Sequence, residues 1–143
     1  MKIILIFILL FSLCVGNVFA EDISGKYNCH LNDHSDGLFD VTLVLKNNPQ
    51  ASFPKQSYMS YDFTFEFTAL GAIHTYEGFA SAHGNNMAMY FESTGDHKDP
   101  SDKGVGIASV STIKDTITFS KFYYEPAYQG KVNYGFEECV KSS

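Results

Sequence analysis

The chain of 143 residues contains no arginine and no tryptophan, has only three cysteines, and shows no long apolar run beyond its first twenty residues. Without arginine there is no planar fork to read phosphates two hydrogen bonds at a time, and the ten lysines are scattered among sixteen acidic residues. This balance argues against nucleic acid and anionic membrane surfaces as partners. The lack of a later apolar run argues against a membrane span, since crossing a bilayer as a helix takes roughly 20 apolar residues.

What is there begins with a targeting pattern. Lys2 precedes an apolar stretch over residues 3–15, and Val18-Phe19-Ala20 offers small residues at a cleavage point before Glu21 and Asp22. Residues 1–20 read as a signal peptide, and residues 21–143 as one secreted or periplasmic domain. Bulky Leu13 before Cys14 argues against lipoprotein processing. Removing the leader leaves nine lysines against sixteen acidic residues, a net charge of about −7. It also leaves two cysteines, Cys29 and Cys139, which in an oxidising compartment pair as a disulfide. A loop of that length is worth up to about 4.7 kcal/mol on chain-entropy grounds.

Apolar residues alternate with polar ones along nearly the whole mature chain. In "LFDVTLVLK", Phe39, Val41, Leu43 and Leu45 share a face; in "YDFTFEFTA", Phe63, Phe65 and Phe67 do. Further strands are expected at 24–31, 73–82, 86–94, 104–112, 115–124 and 132–140, eight in all, with turn chemistry such as "NDHSDG", "HGNN" and "EPAYQG" between them. Short links between consecutive strands imply an up-and-down antiparallel meander. Such a sheet hides its edges most simply by closing its first strand on its last. Cys29 lies in the first strand and Cys139 in the last, so the disulfide would staple that seam. The expected inward set is Phe39, Val41, Leu43, Phe63, Phe65, Phe67, Met87, Met89, Phe91, Ile117 and Phe119, bulky enough to fill the interior or leave a narrow apolar pocket.

The opening "ISGKYNC" resembles the first strand of the calycin group of small secreted barrels, lipocalins in particular, with Gly25-Lys26-Tyr27 where those proteins have glycine, any residue and tryptophan. The resemblance implies, by analogy, a binding protein that holds a small apolar ligand in the barrel mouth or a protein partner on its loops. "YNC" with a late cysteine is also similar to the small periplasmic lysozyme inhibitors, which implies a secreted inhibitor of a host or competitor enzyme.

The candidate chemistry is sparse. His30, His34 and Asp36 around a turn could hold zinc, and Asp96, Asp99, Ser101 and Asp102 in the 95–103 loop could hold calcium. Both read better as ordinary turn and solvated loop residues, so no metal or cofactor is expected. A small-substrate enzyme would use an inward Glu137 or Glu138 with a tyrosine such as Tyr27 or Tyr134; the two glutamates cannot act together, because neighbouring strand residues face opposite ways. In the aromatic stretch "KFYYEPAYQGKVNYGFEEC", Lys121 is expected at the barrel rim and Tyr134 and Phe136 inside. Tyr123, Tyr124 and Tyr128 are expected to form an aromatic rim that contacts a ligand or partner.

Overall fold

The structure, a computed structural model, describes residues 21–143; the expected signal peptide, residues 1–20, lies outside the described residues. The alternation becomes eight strands: β1 (Gly25–Asp33), β2 (Gly37–Asn47), β3 (Tyr58–Ala69), β4 (Ala72–His83), β5 (Asn86–Thr94), β6 (Lys103–Ile113), β7 (Thr116–Glu125) and β8 (Asn133–Lys141). Each pairs antiparallel with the next, and β8 returns to β1, so the sheet is a closed up-and-down barrel with no free edge. Cys29 stands directly opposite Cys139 in the β1–β8 ladder, and the two are joined by a disulfide. Among the described residues no helix is long and apolar enough to cross a membrane.

Tight turns such as Lys114-Asp115, both with positive φ, connect strands at one end of the barrel. That end also carries the chain start, and it is plugged. Ile23 is buried there, its carbonyl accepting a hydrogen bond from Tyr27 Oη at 2.6 Å and its N–H donating to Tyr61 Oη at 3.3 Å. Tyr27, the tyrosine of the Gly25-Lys26-Tyr27 opening, is fully buried against Phe119 at 5.1 Å between ring centroids. The opposite end is ringed by the β1–β2, β3–β4, β5–β6 and β7–β8 connections.

The expected inward residues do face inward, with Phe39 and Phe67 only half-buried near that second end. Strand β8 is the exception to the expected arrangement. Asn133, Gly135, Glu137 and Cys139 point inside, while Tyr134, Phe136 and Glu138 face out, Phe136 with 55% of its surface exposed. The cause is covalent and steric together. Cys139 must point inward to meet Cys29, and Gly135 leaves the space that the Tyr123 ring occupies, which a Cβ there would invade. Lys121 is likewise no rim residue but lies inside, 4% exposed, in an ion pair with Glu137 directly across the β7–β8 ladder.

The outward turn of β8 also creates an aromatic outer wall. Phe122 packs on Phe136 at 5.1 Å and lies 6.4 Å from Tyr134, with Val105, Ile107 and Tyr124 exposed beside them.

Candidate functional site

The unplugged end is built in layers. The lowest holds the Lys121–Glu137 pair, with Lys121 Nζ 5.3 Å from the Phe65 ring centre, 5.6 Å from that of Tyr123 and 5.9 Å from that of Phe91. An ammonium over aromatic faces is attracted by their quadrupoles, and here it is paired and stripped of water as well.

Above it lie two tyrosine–carboxylate pairs. Tyr123 Oη donates to Asp33 and Tyr76 Oη donates to Asp102. Both hydroxyls hold their protons far more tightly than an ordinary tyrosine, first because they are buried and next because of the carboxylate each one faces. Asp33 is fully satisfied. One oxygen accepts the backbone N–H groups of Ser35 and Asp36 at 2.8 Å each, which fixes the β1–β2 turn, and the other also accepts from Asn133 Nδ2 at 2.8 Å. Asn133 donates a second bond, at 2.7 Å, to Glu125.

Glu125 and Asp102 influence each other's protons. Burial pushes the Glu125 carboxyl up to about 8, the neighbouring Asp102 adds to this, and Asp102 is itself raised by burial. Two carboxyls in one desolvated place cannot both ionise cheaply, so Glu125 keeps its proton at neutral pH. Tyr76 satisfies one oxygen of Asp102, and a side-chain hydrogen bond links the Asp102 and Glu125 carboxyl groups.

Rings connect these layers to the surface. Phe65 stacks on Tyr76 at 4.5 Å, Phe67 lies 6.0 Å from Tyr76 and 5.1 Å from both Phe39 and His74, and His74 is 5.9 Å from His97. The interior is therefore aromatic-lined from the Lys121 layer to the rim. The inner cavity among Phe65, Tyr76, Phe91 and Tyr123 is small, about 30 Å3, room for roughly one or two waters. Over it lies a vestibule of about 660 Å3, bounded by Phe39, Phe67, His74, Asp99, Asp102 and Tyr128. A hollow of about 800 Å3 on the outer wall of β1–β3 is larger but lined mainly by solvent-facing strand residues, with no converging buried polar groups.

The three tyrosines expected on a common rim occupy three places. Tyr123 is buried and lines the inner cavity, Tyr124 is on the outer wall, and Tyr128 stands half-buried at the vestibule, its hydroxyl donating to Asp36 at 2.5 Å. Of the residues considered for catalysis, Glu137 pairs with Lys121, Glu138 faces out and accepts from Ser120 Oγ at 2.6 Å, Tyr27 is at the plugged end, and Tyr134 stacks outside on His34 at 4.5 Å. His30 bonds Asp40 at 2.6 Å. In the 95–103 loop, Asp99 caps Ser101 while Asp102 leaves solvent and enters the barrel end. Asp33, Tyr76, Glu125 and Asn133 were not singled out as site residues by sequence reasoning, and Asp102 only as a calcium ligand of the 95–103 loop. Their signal was parity, since each falls in step with an inward residue of its own strand or at its end.

No family model matches the chain, and no curated protein and no solved structure matches it.

Proposed function

We propose that the protein is an exported binding protein that takes a small, largely apolar ligand into the vestibule at the unplugged end, with Tyr128 and Phe67 among its contacts and Tyr123 closing the floor. The observation that carries this reading is the continuous run of rings from the buried Phe65–Tyr76 stack out to half-buried Phe67 and His74. Half-exposed aromatic faces around a concavity gain free energy when a ligand covers them, and 660 Å3 falls within the range of small-molecule sites. Export is supported by the disulfide, which persists in oxidising compartments, together with the leader-like start. The lipocalin-like opening of β1 agrees with this class of function without fixing it.

The test is fluorescence titration with uncharged N-phenylnaphthylamine. Enhancement that saturates in wild type and weakens several-fold in Phe67→Ala, but not in Tyr124→Ala, is expected; no saturable enhancement would contradict it. Chemical conversion of bound ligands would instead point to an enzyme, for which the proton held on Glu125 is the available acid. A protein partner is a second reading, favoured by the exposed Phe122–Phe136 pair with Ile107 and Val105 on the outer wall. It predicts that Phe136→Glu abolishes association while leaving the vestibule titration unchanged.

A further inference from the structure

The outer wall from β4 to β8 is stepped. Residues directly opposite in neighbouring strands share a face, and along one such row the outward side chains run Phe136, Phe122, Ile107, Ala88 and Ser81, so bulk falls steadily from β8 to β4. The next row runs Glu138, Ser120, Ser109, Asn86 and His83. The rings thus stand as a ridge on β7 and β8, and beside it the small side chains leave a shallow hollow of about 570 Å3. Phe136 and Ile107 keep 55% and 67% of their surface exposed, and the floor of the hollow at Ala88, Ser109 and Ser120 carries no charge.

A face that carries both a ridge and a hollow beside it has the self-complementary relief of an isologous two-fold interface. Resting on the second reading, of the outer wall as a protein-binding face, we propose that the partner is a second copy of this chain, packed about a two-fold axis along β6 so that each ridge enters the other's hollow. With β6 on the axis, β8 lies over the second copy's β4, and β7 over its β5. Phe136 then meets the second copy's Ser81, Phe122 its Ala88 and Glu138 its His83, while Ile107 packs near its own counterpart. Charge permits this although the chain is acidic overall. Outward carboxylates such as Asp40, Asp62 and Glu66 lie on β2 and β3, away from the ridge, and the one glutamate of the two rows is set against an imidazole. A partner of opposite charge would find nothing to pair with on the ridge or the floor. Area sets the strength. With a whole aromatic side chain taken at roughly 150–250 Å2, the exposed parts of Phe136, Phe122, Ile107, Val105, Tyr124 and Tyr134 amount to on the order of 500 Å2 per copy, below the ~800 Å2 per partner of a standard stable complex. The dimer is therefore weak and reversible.

Sedimentation velocity of the whole mature, disulfide-bonded protein tests this over a concentration series from about 1 to about 500 µM, a span set to bracket a weak dimer. Half-dissociation is expected at ~10–100 µM. Phe136→Glu on the ridge and Ala88→Trp in the hollow should each raise that concentration by at least about tenfold, with far-UV spectra unchanged. Should either variant not fold, the facing charges serve instead: Glu138→Lys should weaken the dimer, and combining it with His83→Glu should restore it. A wild type that stays monomeric throughout would overturn the second copy while leaving a different protein partner for the wall. Monomers that float with phosphatidylcholine vesicles through this wall, a flotation lost in Phe136→Glu, would assign it to a lipid surface and overturn both. Dimers equally strong in Phe136→Glu would pair through another face, which also overturns both. Dimers weakened by Phe136→Glu but neither by Ala88→Trp nor by Glu138→Lys would overturn the seating of ridge in hollow.

Discussion

Lys121 and Glu137 face each other across the β7–β8 ladder inside the barrel, the one buried lysine among the described residues meeting its carboxylate among three rings. An ion pair removed from water is costly to make and far costlier to leave half-made. Lys121→Met should therefore destabilise by about 3–5 kcal/mol, and adding Glu137→Leu should recover most of that loss. Urea unfolding of the two variants measures it; a double variant less stable than the single one would show that the pair contributes net stability.

The outward turn of β8 gives a contrast between two phenylalanines. Phe119 is 2% exposed against Tyr27, so Phe119→Ala should cost about 3–5 kcal/mol. Phe136 is on the outer wall, and Phe136→Ala should cost less than about 1 kcal/mol. Similar costs for the two, read from denaturant midpoints, would mean that Phe136 is covered.

Most of the barrel was legible in the sequence because alternation marks strands directly, and short turns between eight such segments leave closure as the simplest way to remove edges. The β8 parity was the failure, and it explains the rest. Ranking Tyr134 and Phe136 as inward by residue type set aside a stronger constraint: Cys29 shares a face with Tyr27 and Leu31, so its partner Cys139 must point inward, and with it Glu137, Gly135 and Asn133. A lysine alone is costly to bury and so is expected at the rim; only the inward Glu137 across the ladder accounts for Lys121 lying inside. The tyrosine–carboxylate pairs were less legible still, since Asp33 and Asp102 sit in turn-like sequences where aspartate usually faces water, and only the three-dimensional approach of Tyr123 and Tyr76 brings them in.

Glu125 should impose a pH dependence on stability. Its folded value near 8 lies above the ordinary 4.5, so between these limits the folded chain keeps a proton that the unfolded chain has released. This group's contribution therefore favours folding at the acid end, declines as pH rises through the window by up to about 1.4 kcal/mol per pH unit, and is fully lost above it. Glu125→Gln keeps the neutral form and should flatten that decline, making the variant more stable than wild type at alkaline pH. Parallel pH profiles for the two proteins in thermal melts would contradict the assignment.

The Cys29–Cys139 bond closes the chain over a separation of 110 residues. Replacing both cysteines with serine should lower stability by about 2–5 kcal/mol, with the eight-stranded far-UV signature retained at low temperature. Reaction of the unreduced mature protein with a thiol reagent, detected by intact mass, would show that the bond is absent.

The central claim is that the unplugged end, not the aromatic outer wall, takes the ligand. Ring-proton NMR during titration with N-phenylnaphthylamine separates the two most directly. Saturable shifts at Phe67, Tyr76 and Tyr128, with Tyr134 and Phe136 unmoved, are expected; shifts confined to Tyr134, Phe136 and Phe122 would place binding on the outer wall and contradict it.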